Sequence, residues 1–408
     1  NGFPFDTGDQ IWGSAASADL DGDGYLEFAV TSKSKNLYIF DKNGLKLSYE
    51  TDVYLIGTPA FGNLDDDENL EIIFSGYSSG NKLFVINHDG TNVDGFPLNL
   101  GEKTKAGPAL ADFNGNGMDD IVLGTDDNHI YLIFDNGTTA PGFPFVAGDK
   151  FQTAPSIAEI DGSKIIFAGN NDNHLYAIKS DGNLLFSLLT GDDVKTSPAF
   201  AEISGYLYVA FGSKDDNIYV VNMEGHSLPG WPIMLDGNIE GGIVFSDFDG
   251  NGLPEIVAVT DEGTLSLFHL DGNLFHHFPI SHDLPFTGPP IIVDLDGDSD
   301  LEIISGSMNS LTVFDIKDLT SEYFYWNMFR GNNQRTGYFL YSGESECNVS
   351  LGDVNGDIMI NILDLVQMAN FVLGISTPTY ECAADFNQDG MVNILDLVQT
   401  ANYILENN

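Results

Sequence analysis

The feature that most constrains this chain is an acidic stretch, Ala18-Asp19-Leu20-Asp21-Gly22-Asp23-Gly24-Tyr25-Leu26-Glu27, because it recurs along most of the sequence. Counted from Asp19, variants begin at Asn63, Asp112, Asp247 and Asp294, and worn-down copies begin at Glu159 and Glu202. Successive starts lie 44, 49, 47, 43, 45 and 47 residues apart, which makes seven units. A unit of this length built from short alternating strands cannot bury its apolar faces alone, so copies must stack on one another, as the blades of a propeller do. The period thus predicts an all-β body, a seven-bladed β-propeller over residues 1–317.

Each unit reads as one sheet. The first runs Ser14 to Leu20, the acidic loop, Leu26 to Val30, Asn36 to Asp41, and an outer stretch from Leu45 to Tyr49. In the next two, Leu70 to Phe74 precedes Lys82 to Asn87, and Ile121 to Gly124 precedes His129 to Phe134, with Asp-Gly or Asn-Gly turns between apolar, β-branched runs. Several units finish on a proline-bearing outer strand, Gly95 to Leu98, Gly142 to Phe145 and Gly230 to Ile233, a position where no ladder donor is lost. The chain begins on the same element at residues 2–5, and the seventh unit ends at Phe314-Asp315 without one. Residues 2–5 are therefore expected to complete blade seven.

Carboxylates at alternate positions of a tight, glycine-bearing loop can converge on one hard cation, which takes six to eight oxygens. In the first loop the donors are Asp19, Asp21, Asp23, the carbonyl of Tyr25, and Glu27. The other loops offer Asn63, Asp65, Asp67 and Glu71; Asp112, Asn114, Asn116 and Asp120; Asp247, Asp249, Asn251 and Glu255; and Asp294, Asp296, Asp298 and Glu302. The alternative is that these are solvated Asx and glycine turns. The worn-down copies bear on the choice, since Ile160-Asp161-Gly162-Ser163-Lys164 and Ile203 to Tyr206 are shorter and replace the loop by a hairpin turn. Metal in the other five is therefore expected to be structural.

Composition narrows the partners. The chain has 61 Asp and Glu against 15 Lys and Arg, a formal charge of −46 that repels nucleic acid and anionic membrane surfaces. No run of about 18 apolar residues suits a membrane span. The start shows no charged-then-apolar signal segment, and the chain is expected to lack its native N-terminus. No metalloprotease helix motif, phosphate-cradling glycine loop or serine elbow occurs, so no catalytic residue is assigned. His276-His277 with His282 is the one local histidine cluster, read either as a ligand site or as ordinary surface. His129 and His174 hold equivalent strand positions and read as repeat residues.

Residues 318–345 break the repeat as a closing tail and linker and hold the only arginines, Arg330 and Arg335. These read as an anion clamp or, on the preferred reading, as pins between the tail and acidic blade edges. Residues 346–408 change character again. Asp353-Val354-Asn355-Gly356-Asp357 and Asp385-Phe386-Asn387-Gln388-Asp389-Gly390 each open a twelve-residue loop, followed by helices over Leu365 to Leu373 and Leu397 to Leu405. Cys347 and Cys382 both fall here; bridged, they would close a loop of 35 residues and imply an oxidising, extracellular setting, and the alternative is two free thiols.

The acidic loops resemble the FG-GAP or VCBS repeat family, calcium-loop propellers that include the integrin α-subunit head. The resemblance covers residues 1 to about 317 and implies calcium in the hairpins of five blades, while saying little about activity. The C-terminal pair looks like a type I dockerin, which implies two further calcium ions and a cohesin partner. Its loop residues here are Asp353, Asn355, Asp357, Asn361 and Asp364, then Asp385, Asn387, Asp389, Asn393 and Asp396, with Ile358 standing where the first loop should have glycine. In that family, partner recognition maps onto Ile362, Leu363, Ala369 and Asn370 in one repeat and the identical Ile394, Leu395, Ala401 and Asn402 in the other.

Together these features predict a secreted or cell-surface, calcium-bound, non-catalytic binding or scaffold module, attached through dockerin to a cohesin-like domain or another surface protein. One alternative is a polysaccharide-binding lectin or polysaccharide-degrading component, with a glycan as partner. Another is a self-associating surface or filament subunit built through its N-terminal strand.

Overall fold

The structure is a computed structural model. It describes the chain except residues 1–2, 68, 79–81, 204, 240, 308–309, 319–324, 342–350, 356–358, 374, 377, 379–382, 385, 387–391 and 408, and the side chains of 395, 406 and 407. Its contacts form two compact units, residues 1–201 with 208–340, and residues 202–207 with 341–408.

The acidic repeat folds as read, into seven sheets in chain order. Blade one is the antiparallel meander Ala16–Ala18, Glu27–Ser32, Asn36–Asp41 and Gly44–Glu50, and blades two to six repeat its order. In blades two to six apolar residues alternate onto both faces of the sheet, because a neighbouring blade packs on each side, whereas in blade seven Leu311 and Val313 stay exposed. Between blades one and two, Leu37, Ile39, Phe61, Ile72, Phe74 and Ile86 share one buried cluster. There Phe74 and Phe84 stack with centroids 4.9 Å apart. Each such buried ring contributes roughly 2 kcal/mol of transfer free energy. The outer strands of four blades shrink to two residues directly after the proline, as at Leu98–Asn99 and Ile280–Ser281.

Blade seven differs from expectation. Its sheet has three strands, Ile291–Val293, Leu301–Gly306 and Leu311–Ile316, and no ladder to the N-terminal segment forms among the described residues. Phe3 and Phe5 instead pack on blade one, Phe3 against Phe28 and Phe40, and Phe5 against Tyr38 and Phe40. Phe96, the corresponding residue of blade two, likewise packs toward the blade that follows. The segment thus keeps the side-chain contacts of an outer strand without its main-chain pairing.

The worn-down fourth blade shows what replaces an acidic loop. Its strands Ser156–Ile160 and Ser163–Gly169 pair directly through a two-residue turn, with Asp161 and Gly162 both at positive φ. Glu159 meets Lys164 across that ladder at 2.7 Å, so a lysine neutralises the carboxylate at the place where other blades open their loop.

The tail after blade seven is an organising element. Main-chain carbonyls of Trp326, Asn327, Asn333, Gln334, Thr336 and Gly337 accept N–H bonds of 2.7–2.9 Å from Phe245, Ile292, Ser17, Phe61, Leu110 and Ile157. Those donors lie at the first strands of blades six, seven, one, two, three and four. Blade five meets the tail through Phe200, edge-on to Trp326 at 5.2 Å. The first strands therefore surround the tail, and Tyr338–Leu340 ends it as a parallel fifth strand on blade four. The arginines act otherwise than expected. Arg330 donates to Pro108 O and Thr336 O, and Arg335 to Ala15 O, Phe329 O and Asn332 O, all main-chain carbonyls rather than blade-edge carboxylates. A buried guanidinium has five donors in a fixed fork, which suits the unpaired carbonyls of converging strand ends.

The C-terminal unit holds two helices, α1 (Ile362–Val372) and α2 (Ile394–Asn407), around a small cluster of Val354, Met368, Ala383 and Ala384. Both begin three residues earlier than the pattern suggested. Asn361 caps α1, its side chain accepting Leu363 N–H while Asp364 accepts Asn361 N–H in return, so the end of the acidic loop becomes the first helical turn. Cys347 and Cys382, for which a bridge was expected, fall outside the described residues. No helix among those described is long and apolar enough to cross a membrane.

Candidate metal loops and partner face

The ladder register places the ninth residue of each propeller loop. Glu27, Glu71, Asp120, Glu255 and Glu302 pair with Ala18, Gly62, Ala111, Ser246 and Val293, the residues just before each loop opens. The carboxylate therefore stands at the base of its loop. One of its oxygens accepts the N–H of the loop's second residue, Leu20 at 3.0 Å, Leu64 at 2.6 Å, Phe113 at 2.8 Å, Phe248 at 2.8 Å and Leu295 at 2.6 Å. Five blades repeat this bond, and it leaves the second oxygen available.

The first residue curls the loop. Asp19 accepts N–H bonds from Asp23 and Gly24, Asp112 from Gly115, Asn116 and Gly117, Asp247 from Gly250, Asn251 and Gly252, and Asp294 from Gly297 and Ser299. Asn63 does the same more simply, toward Asp65 N. Side chains at the third and fifth positions accept from the N–H two residues on, as Asp21 does from Asp23, Asp65 from Asp67, Asn114 from Asn116, Asp249 from Asn251 and Asn251 from Leu253. Gly22 and Gly24, at φ +72° and +84°, permit the curl, and the N–H of Tyr25 bonds Asp23.

The loops therefore gather charge. Ligand atoms of Asp19, Asp21 and Glu27 lie within 4.8 Å of one another, as do those of Asp65, Asp67 and Glu71, of Asp249, Glu255 and His269, and of Asp294, Asp296 and Glu302. Asp298, Asp300 and Glu302 form a further such group, while the Asp112 loop forms none among the described residues. Burial pushes Glu71 up to about 7 and Glu255 up to about 8, with Asp65 and Asp67 raising the first further and Asp249 and Asp247 the second. Burial likewise raises Asp120 to about 6.

The fate of the second oxygen separates the loops and tests their fit to a cation. Glu71 Oε1 and Glu302 Oε1 are buried with no hydrogen-bond partner. Glu27 Oε1 sits 3.1 Å from Lys46 Nζ, and Glu255 Oε1 3.0 Å from His269 Nδ1. Asp120 Oδ1 accepts from Asn114 and from Asp135 N–H. A buried acceptor-only oxygen demands a donor or a cation, and two loops leave that demand unmet. The donor set, all oxygen with His269 as the exception, suits a hard divalent ion such as calcium.

Sequence reasoning missed Lys46, Asp135, His269, Asp300 and Lys317. Lys317 lies within 3.2 Å of Asp298, Asp300 and Asp315, so blade seven brings a cation of its own. Aligning the units would have found His269 and Asp135, which stand one and two residues past the third strands Thr264–Phe268 and His129–Ile133. The histidine cluster does not assemble as a ligand site: His276 pairs with Asp318 at 2.8 Å, while His282 bonds Leu284 and faces Phe286. His129 and His174 each start a third strand, as the repeat implied.

In the C-terminal unit Asp353, Asp364 and Asp396 are buried. Asp364 accepts Asn355 N at 3.2 Å and Asn361 N at 2.9 Å, and Asp396 accepts Asn393 N at 2.8 Å, so each carboxylate bonds main-chain N–H groups of its own loop from the first turn of the following helix. Asp357, Asp385, Asn387 and Asp389 lie outside the described residues. Ile362, Leu363 and Ile394 are 62%, 59% and 63% exposed, with Val366 and Val398 beside them also exposed. Ala369, Asn370 and Ala401 are half-buried and Asn402 is exposed.

Residues 351–405 match the model of the dockerin type I domain, and residues 247–305 that of an FG-GAP-like repeat. No curated protein matches the chain. Among solved structures, the V. cholerae biofilm matrix protein Bap1 is similar with a TM-score of 0.60 and 12% identity, over 78% of this chain and 79% of that one. A chain from the crystal structure of BBS1N in complex with ARL6DN, soaked with lead, gives 0.54 and 13%, over 77% and 94%. At these identities the likeness concerns the fold alone.

Proposed function

We propose, for a chain that ends in a dockerin type I domain and carries an FG-GAP-like repeat, the role of a secreted, non-catalytic binding or scaffold module that calcium stiffens and a cohesin-type partner holds. Dockerin domains bind cohesins and are typically borne by extracellular proteins, and both families are generally calcium-binding. In this reading about five ions sit in the propeller loops and two in the dockerin loops. They neutralise carboxylates that the fold would otherwise bury against one another. The orphaned Glu71 Oε1 and Glu302 Oε1 support the propeller ions.

The observation that carries the partner role is the exposure of Ile362, Leu363 and Ile394 at the first turns of two helices whose neighbouring aspartates are buried. Exposed apolar pairs of this kind are a cost in water unless a partner covers them. Because Ile362-Leu363 and Ile394-Leu395 are identical, either face can meet the same cohesin surface in one of two orientations. Replacing Ile362 and Leu363 by Asp is expected to weaken binding of a type I cohesin by less than about tenfold, and replacing Ile394 and Leu395 likewise. Replacing all four is expected to abolish binding while calcium binding and helix content persist. Complete loss from one face alone would refute the dual mode, and unfolding of either two-site variant would show these residues to be core.

A further inference from the structure

At the end of the first strands opposite the acidic loops, one turn from each of the seven blades and Phe329 of the tail line a half-open cavity of about 290 Å³. The turns precede the first strands and the acidic loops follow them, so no carboxylate of the candidate metal loops lines it. Trp12, Lys105, Gln152, Lys195 and Phe329 are the large polar or aromatic residues in its wall.

Positive charge collects there in a chain of formal charge −46 with only 15 Lys and Arg. Lys195 is partly buried and its pKa is lowered, first by burial and also by the charges of Lys105 and Lys214, while Asp193 pulls it the other way. It is held by Gln152 Oε1 at 3.3 Å, Asn171 Oδ1 at 2.5 Å and Asp193 Oδ2 at 3.3 Å. Gln152 in turn donates to Asp126 at 2.8 Å. Beneath the wall, Arg330 is 1% exposed, and its Nε and Nη1 have no hydrogen-bond partner. Nη1 stands 2.9 Å from where a Cβ on Gly107 would be, with Thr58 O nearer still, so the guanidinium lies behind Gly107, which lines the cavity together with Thr58. A buried charge left without a counterion is costly, and an anion in the cavity would relieve it. Trp12, 57% exposed, has Lys33 Nζ 4.7 Å from its ring centroid and its Nε1 bonded to Gln10.

We propose that this cavity is a binding site for an acidic sugar unit, a uronic acid whose C–H face rests on Trp12 and whose carboxylate is met by Lys105 and the charge of Lys195 and Arg330. An indole face is electron-rich and attracts the polarised C–H bonds of a pyranose ring. The cavity is at the small end for ligand sites, which fits one or two rings rather than a long chain. The site does not depend on the cohesin-binding role.

Titration of the full chain with galacturonate and glucuronate, followed by calorimetry and tryptophan fluorescence, tests this against galactose, glucose and acetate. Both or either uronate is expected to bind and to perturb the fluorescence, with the neutral sugars and acetate at least about tenfold weaker. Trp12→Ala and Lys105→Ala, both at exposed positions, are each expected to lower uronate affinity by about tenfold or more with unchanged melting curves. Lys195→Met should do the same. Absence of uronate binding at tens of millimolar overturns the proposal. So does equal binding of neutral sugar or of acetate, or parental affinity in both Trp12→Ala and Lys105→Ala.

Discussion

At the scale of single residues, the chain stores its electrostatic tension in a few buried carboxyls. Glu255, 1% exposed and raised to about 8, and Glu71, raised to about 7, hold a proton more tightly folded than unfolded. Without metal, their contribution to stability is complete below the ordinary carboxyl value and is lost as pH rises through 7 to 8. For Glu255 the loss is on the order of 5 kcal/mol. In chelator, the melting temperature is therefore expected to fall between about pH 5 and pH 9, and Glu255→Gln to flatten that slope. Added calcium should raise the melting temperature most at the alkaline end, where the carboxyls are ionised. Scanning calorimetry across that range checks this, and a metal-free melting temperature that climbs with pH would contradict it.

At the scale of elements, the repeat made most of the fold legible. Strand order and hairpin chemistry followed from alternation and from Asp-Gly and Asn-Gly turns, and the short turn of blade four was visible in its missing residues. Two things were not visible. The N-terminal Phe3 and Phe5 pack like an outer strand without pairing, because the aromatic face of blade one rewards the side chains and not the backbone. The tail's role was hidden since hydrogen bonds from six first strands go to its carbonyls, which every residue carries and no pattern marks. Among the ligand sets, the residues within each loop were readable from spacing. Lys46 and His269 come from later strands and needed the fold to bring them in. Removing the tail orphans those six N–H groups at roughly 1 kcal/mol or more each. A chain ended at residue 317 is thus expected to melt roughly 10 °C or more below one ended at 341, and equal melting would show that the blades close without it.

At the scale of the whole molecule, the chain carries a series of acidic hairpins and, on its dockerin domain, a duplicated Ile-Leu sequence of which Ile362, Leu363 and Ile394 are exposed. If cations complete the five propeller hairpins, a crystal structure of the chain grown in calcium will show them. An ion is expected within about 2.3–2.6 Å of the loop-facing oxygen of Glu27, Glu71, Asp120, Glu255 and Glu302. Lys46 and His269 should be displaced from theirs, and occupancy should be lowest in the Asp112 loop, where Asn114 and Asp135 already satisfy Asp120. The contrary result is five loops in which those oxygens bond only Lys46, His269, main-chain N–H groups or water.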